Sequence, residues 1–129
     1  MDANFNRARE GLRVLEDIAR FILNDKNISK TIKEMRSSIS SIQKKHSDTI
    51  LFRDTQNDIG TKLNSSQEKI RETLKDVAIA NSKRVQESLR VLEEMFKLTD
   101  TDTSQEFKSI RYNSYTIEQD ILEKLKRVE

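Results

Sequence analysis

The residue types best suited to binding or catalysis occur twice in this chain at the same spacing. Residues 3–16 are ANFNRAREGLRVLE and residues 80–93 are ANSKRVQESLRVLE, so nine of the fourteen positions are identical without a gap. Each copy places an asparagine, an arginine and a glutamate three residues apart, which brings them to one side of a helix. Arginine pairs bidentately with phosphate or carboxylate, and glutamate can orient it or bind a metal. The six candidates are Asn4, Arg7, Glu10, Asn81, Arg84 and Glu87.

The spacing also predicts where the arginines lie. Alternating steps of three and four residues place Arg7 and Arg84 on the core-facing side of their helices, each followed by a small residue, Gly11 or Ser88. An unpaired arginine in a core is costly, so it is either paired or lines a cavity that holds an anion. A polar layer that fixes the register of a bundle is the alternative. We favour a ligand cavity because two arginines and two asparagines are more polar residues than a layer that only fixes the register requires.

Two further clusters are weaker candidates. The segment 53–61, RDTQNDIGT, offers Asp54 and Asp58 as Mg²⁺ ligands, and Arg53 and Thr61 as phosphate contacts, although an ordinary polar turn looks similar. On the last helix, Arg111 is a candidate phosphate contact, and the neighbouring tyrosines are candidates for stacking on a flat ring, although aromatic residues at helical spacing are more often core residues. The two tyrosines are Tyr112 and Tyr115.

The elements that must position these residues are helices. Apolar residues recur at helical spacing, and the chain has two glycines and no proline, which argues against an all-β fold. We predict an all-α bundle of four main helices, with Ser65 and Glu68 as a capping box before the third. The predicted helices span about 2–24, 28–47, 66–98 and 102–127, with a functional loop near 48–65.

Composition limits the remaining classes. The 129 residues suit one domain, and the absence of cysteine excludes disulfides and thiolate chemistry. A net charge of +2 does not favour nucleic-acid binding. There is no apolar run of membrane-spanning length, and the N-terminus lacks the apolar stretch of a signal peptide, so we predict a cytoplasmic protein without a membrane partner.

The repeated motif predicts an internal duplication. Residues 32–36 match residues 107–111 more faintly, at an offset that differs by two residues from that of the first match. Two helical hairpins, about 1–47 and 78–128, are therefore interpreted as copies of one another within a single domain. We expect a pseudo-two-fold axis that brings the repeated motifs face to face.

Four segments together resemble a known family. They are DANFNRAREGLRVLEDIARF at 2–21, RDTQNDIGT at 53–61, ANSKRVQESLRVLEE at 80–94 and RYNSY at 111–115. They are similar to the monofunctional hydroxymethylpyrimidine monophosphate kinases of bacterial thiamine biosynthesis, which are free-standing or fused ahead of thiamine phosphate synthase. The resemblance implies ATP-dependent phosphorylation of 4-amino-5-hydroxymethyl-2-methylpyrimidine phosphate to the diphosphate. The serine-rich second helix departs from the pattern, which leaves the part played by Arg36 open.

Physical reasoning assigns roles for such a reaction. Arg7, Arg84, Arg53 and Arg111 would bind phosphates, and the two asparagines would orient the pyrimidine or the transferred group. A carboxylate among Asp54, Asp58 and Glu10 would hold Mg²⁺, with ATP as the second substrate.

The alternatives are a non-catalytic helical adaptor and a cofactor-free, arginine-lined helical enzyme resembling chorismate mutase. The expected partners are small molecules, and a homo-oligomer could complete the site.

Overall fold

A computed structural model describes residues 1–47 and 71–128 of the chain, and over these residues the protein is helical. The elements are α1 (Asp2–Asp17), a π-helical turn (Ile18–Ile22), α2 (Lys26–Lys45), α3 (Leu74–Phe96) and α4 (Thr101–Val128). The prediction of an all-α bundle of four main helices is confirmed. The loop predicted near 48–65, and the capping box at Ser65 and Glu68, lie outside the described residues.

Short polar side chains fix where three of the helices begin. Asp25 accepts a hydrogen bond from the Ile28 amide at 2.9 Å, and Asp100 accepts one from the Thr103 amide at 3.1 Å, so each caps the helix that follows. Thr73 caps α3 by accepting from the Asp76 amide at 3.0 Å. The predicted helix from 66 is therefore wrong over 71–73, because the cap at Thr73 requires an extended backbone just before Leu74.

The first helix does not run regularly to residue 24 as predicted. It passes into the π-helical turn, where the Leu23 amide donates to the Ile18 carbonyl at 2.9 Å. Asn24 then takes a left-handed conformation with φ 53°, which asparagine tolerates better than most residues. Asp25 is the N-terminal cap of α2, which begins at Lys26, slightly before the predicted start at about 28.

The two central helices are α1 and α3. They pack on one another, α2 packs on α1, α4 packs on α3, and α2 makes only a small contact with α4. Phe5, Phe96 and Phe107 meet in an aromatic cluster with ring centroids 5.4–6.4 Å apart, so residues from α1, α3 and α4 share one core. None of the helices in the described part of the chain is long and apolar enough to span a membrane.

Candidate functional site

The repeated motifs pack directly against each other where α1 crosses α3. A Cβ atom added to Gly11 would lie 2.7 Å from Val85 Cγ2 and 3.0 Å from the Asn81 carbonyl oxygen, so only glycine fits without a shift. The equivalent residue in the other copy, Ser88, is also buried, and its hydroxyl donates to the Arg84 carbonyl at 2.7 Å. Small residues in both copies therefore allow the two backbones to approach closely.

The polar residues of the motif lie at the solvent edge of this crossing, which corrects the prediction of core-facing arginines. Arg84 Nη2 lies 3.8 Å from Glu10 Oε2, and the two side chains are 51% and 69% exposed. Glu87 is exposed as well, whereas Asn4 and Arg7 are partly buried. These motif residues therefore line an open surface and not the predicted cavity.

The prediction chose the wrong side of α1 and of α3 as the side that faces the core. The apolar arc that α1 buries contains Ala8, Leu12 and Leu15, and α3 buries Val85 and Leu89 at matching positions. The predicted core-facing positions, continued along the chain at the same steps of three and four residues, lie next to this arc, and several apolar residues at those positions are exposed. They are Phe21, Val91, Met95 and Leu98.

The two asparagines occupy different local settings. The Asn81 side chain donates to the Val77 carbonyl of its own helix at 2.8 Å. Asn4 lies in the first turn of α1, where its backbone amide donates to the Met1 carbonyl at 3.0 Å. The Asn81 amide group is thus already engaged along α3, and its carbonyl oxygen is the part left for other contacts.

Each hairpin contains a buried ion pair that the sequence reasoning missed. Glu16, only 6% exposed, accepts from Arg36 Nε at 2.7 Å, and Glu93, only 3% exposed, accepts from Arg111 Nε at 2.8 Å. Neither glutamate was a candidate in the sequence analysis, yet each joins the two helices of its hairpin. The ion pair with Glu93 raises the pKa of Arg111 above its ordinary value. The sequence held a signal, since both glutamates and both arginines occupy matched positions of the two copies.

Arg111 also connects to the two tyrosines of α4. Its guanidinium carbon lies 5.0 Å from the centroid of the Tyr112 ring, and its Nη1 donates to the Tyr115 hydroxyl at 3.5 Å. The tyrosines are 54% and 45% exposed, so the alternative that they are core residues does not hold. The described candidates thus form two groups, one at the α1–α3 crossing and one on α4.

The predicted metal ligands Asp54 and Asp58, and the phosphate contacts Arg53 and Thr61, lie outside the described residues. Over 1–47 and 71–128, no group of three or more histidine, cysteine, aspartate or glutamate side chains is placed to hold a metal ion. Of the three predicted Mg²⁺ ligands, only Glu10 lies in the described part of the chain, and it belongs to no such group there.

Fold and site together define an all-α protein of two helical hairpins, whose repeated Asn-Arg-Glu motif lies along the crossing of the central helices. A model of the ThiD2 family matches residues 1–120. The chain belongs to the ThiD2 family.

The curated relatives that match this chain are longer proteins. The chain is 45% identical over 120 residues to the thiamine-phosphate synthase of Thermosynechococcus vestitus, a match covering 92% of this chain and 33% of the relative. It is 41% identical over 123 residues to that of Synechocystis sp., covering 95% and 35%. It is 40% identical over 117 residues to that of Rhodopirellula baltica, covering 89% and 31%. The chain thus spans about a third of these relatives, and no solved structure matches it.

These names correct the prediction of a pyrimidine monophosphate kinase. The relatives are named as a synthase, a different enzyme of thiamine biosynthesis, so the resemblance identified the pathway and named the wrong enzyme. The expectation that ATP binds here loses its basis with that assignment.

Proposed function

We propose that the chain is a helical module of thiamine biosynthesis that binds a phosphorylated small molecule along the α1–α3 crossing. The observation that carries the proposal is the match of nearly the whole chain to one third of proteins named thiamine-phosphate synthase. Thiamine phosphate is itself a phosphorylated compound with two flat rings, so its pathway supplies ligands of this class.

The charge arrangement at the crossing supports this location. Arg84 and Glu10 are more than half exposed and 3.8 Å apart, and exposed pairs of this kind contribute at most about 1 kcal/mol. A phosphate group can therefore displace the carboxylate at little cost and form a stronger bidentate contact with the guanidinium. The exchanged pair, Arg7 of the first copy and Glu87 of the second, has the same residue types at the matched positions.

The motif residues then divide into binding and positioning groups. Arg7 and Arg84 bind phosphate oxygens, and Glu10 and Glu87 hold the guanidinium groups in place before the ligand arrives. Asn4 and Asn81 contribute amide oxygens as acceptors for the amino group of a heteroaromatic ring. Mg²⁺ binding by Asp54 and Asp58, a cytoplasmic location and a homo-oligomer remain predictions.

Isothermal titration calorimetry with thiamine phosphate tests the proposal. Arg84→Ala is expected to weaken binding about tenfold or more, because a charge-assisted contact is lost, and Arg84→Lys to recover part of it. Arg13→Ala is the matched control, since Arg13 is also a more than half-exposed arginine, lies on α1 and pairs with Asp17 at 3.4 Å. A non-catalytic adaptor predicts no saturable binding, and equal affinities of both alanine variants would remove Arg84 from the site.

A second candidate is that the chain takes part in forming thiamine phosphate, the product in its relatives' names. Thiamine consists of a pyrimidine joined through a methylene group to a thiazolium. The synthesis therefore joins the methylene carbon of an activated pyrimidine to the ring nitrogen of a thiazole phosphate, and the activating group leaves that carbon with its bonding electron pair. Product formation by this chain alone would support the candidate. Formation only in the presence of the remaining two thirds of a relative such as the Synechocystis protein would restrict the chain to binding.

A further inference from the structure

The side of the α1–α3 pair that faces away from the outer helices is open to solvent. α2 packs on α1 and α4 packs on α3, and these two outer helices contact each other on the core side of the pair. On the opposite side of α3, Val91, Met95 and Leu98 are between 42% and 80% exposed. Together with Arg84 they follow one stripe along the helix. We call this stripe and its counterpart on α1 the open face, and the counterpart consists of Arg7, Val14 and Phe21.

The open face is apolar toward both of its ends. Phe5, near the start of α1, contacts Phe96, near the end of α3, so the two helices run antiparallel. Leu98 and its counterpart in the other repeat, Phe21, therefore lie toward opposite ends of the face, and both are exposed. Apolar side chains gathered on one exposed side of a protein are typical of an interaction surface.

The centre of the open face is charged, and its charges cancel. Arg7 and Glu10 of α1 and Arg84 and Glu87 of α3 supply two positive and two negative charges, and one opposite pair lies 3.8 Å apart. A face with apolar ends and a balanced centre is complementary to itself, which is what a two-fold interface between identical chains requires. A strongly acidic or basic partner would instead require an excess of one sign of charge on this face.

The open face is large enough for a stable dimer. From Val77 to Leu98, α3 is about 30 Å long, and two packed helices present a face about 20 Å wide. Each copy therefore offers on the order of 600 Å², close to the roughly 800 Å² that each partner buries in a standard interface. A second copy of the chain matches this face in length, in charge and in the position of its apolar ends.

We propose that two copies of this chain pack through their open faces in a two-fold dimer. The α1 and α3 helices of both copies then form the centre of the assembly, and α2 and α4 lie on the outside of it. The dimer encloses the Arg84–Glu10 pair, which is open to solvent in one copy. The interface itself does not depend on a ligand. A phosphorylated molecule at the crossing, which rests on the proposed function, is then surrounded by residues of both copies.

Sedimentation velocity of the full chain without ligand tests the interface. A reversible monomer–dimer equilibrium is expected between low micromolar and submillimolar concentrations. Met95→Glu should raise the dissociation constant at least about tenfold, because it places a charge in an apolar part of the interface. Val128→Glu is the matched control, since Val128 is an exposed apolar residue near the end of α4, and it should leave the constant unchanged.

A charge exchange tests whether the face is complementary to itself. Arg84→Glu leaves the face with an excess of negative charge on both copies and should weaken the dimer at least about tenfold. Adding Glu10→Arg restores the balance and should recover most of the affinity. An exchange variant as weak as Arg84→Glu alone would contradict the charge complementarity on which the proposal depends. Circular dichroism of each variant verifies that the helices remain intact.

Spin labels identify the face through which the copies meet. The chain has no cysteine, so Glu87→Cys and Gln119→Cys each introduce a single labelling site, near the centre of the open face and on an exposed position of α4. The distance between labels of the two copies should be roughly 20 Å shorter at position 87, because one layer of helices about 10 Å thick separates position 119 from the interface in each copy. Pulsed dipolar electron paramagnetic resonance measures both distances.

The proposal is overturned by a chain that stays monomeric at all concentrations, by equal dissociation constants of Met95→Glu and Val128→Glu, or by a shorter distance at position 119. A monomer that binds the remaining two thirds of the Synechocystis protein through Met95 would also overturn it, in favour of a different partner. A monomer that binds thiamine phosphate would retain the proposed function and reject only the dimer.

Discussion

The α1–α2 and α3–α4 hairpins share a pattern of contacts and differ in how they turn. In both, a buried glutamate of the first helix pairs with an arginine of the second, Glu16 with Arg36 and Glu93 with Arg111. About two turns before Glu93 in α3, Gln86 donates to Glu118 at 2.9 Å, and in α1 Arg9 donates to Gln43 at the matched positions. The two hairpins therefore keep the same register although most of their exposed residues differ.

The turns differ because the first hairpin is longer by two residues between its buried glutamate and its helix cap, Asp25 or Asp100. The π-helical turn Ile18–Ile22 and the left-handed Asn24 absorb the extra length. The comparison teaches that the buried ion pair and the cap are retained, while the backbone between them adjusts. The hairpins also differ in how the negative charge of the buried glutamate is compensated, since Glu93 has Arg90 as a second partner at 3.2 Å.

The largest expected difference between the hairpins follows from that second partner. Arg36→Met leaves Glu16 buried without its cation, and we expect a loss of about 3–5 kcal/mol in the free energy of unfolding. Arg111→Met should cost less, because Arg90 still faces Glu93. Urea denaturation measures both. Adding Glu16→Leu to Arg36→Met should recover much of the loss, and equal losses in the two single variants would contradict the interpretation.

A smaller loss of stability is expected for substitutions where the two hairpins meet. Gly11→Ala places a methyl group 3.0 Å from a backbone oxygen of α3, so the helices must separate, at a cost of about 1–3 kcal/mol. Ser88→Ala, the change at the matched position, only removes hydroxyl contacts to the Arg84 and Val85 carbonyls and should cost less than about 1 kcal/mol. Thermal unfolding followed by circular dichroism compares them, and an unaffected Gly11→Ala protein would show that the crossing is loose.

Replacing one buried residue, Ser82, is expected to increase the stability of the protein. Ser82 matches Phe5 of the first hairpin, and its buried hydroxyl has no hydrogen-bond partner among the described residues. Ser82→Ala removes this unsatisfied group and should stabilise the protein by up to about 1 kcal/mol. The control is Ser114→Ala, because the Ser114 hydroxyl is buried but donates to the Arg111 carbonyl. A loss of stability with Ser82→Ala would indicate a partner such as a bound water.

Protonation of the capping aspartates is expected to cause the smallest loss of stability, spread over a range of pH. Hydrogen bonds from the Ile28 amide and from Lys124 lower the pKa of Asp25, and those from Thr103 lower the pKa of Asp100, both below the ordinary 3.8. A lowered pKa means that the folded state binds fewer protons, so this stabilisation is present above pH 3.8 and is lost as the pH falls further. Asp25→Asn and Asp100→Asn keep a capping oxygen and should flatten the acid side of the stability–pH curve. Asp120→Asn, at an exposed position of α4, should leave that slope unchanged.

Much of the helical architecture could be predicted from the sequence, and part of the candidate site could not. Apolar spacing identified the helices, because amphipathic periodicity depends only on the geometry of one helix. The start of α3 was missed because Ser65 and Glu68 form a stronger local capping signature than Thr73, the cap observed. The burial of Glu16 and Glu93 was missed because a glutamate at the border of an apolar stripe looks exposed until its partner helix is known.

The sequence by itself determined the all-α class, the family and the repetition of an Asn-Arg-Glu motif, because each follows from residue types at fixed spacing. Tertiary structure decided how far each helix is rotated about its axis, and thereby that Arg84 lies at the solvent edge of the crossing instead of in a cavity. That rotation depends on how closely the facing helix can approach, which is set by Gly11 against Val85 and Asn81. A single helix carries no record of that distance, so only the packed pair of helices shows which polar groups can meet a ligand.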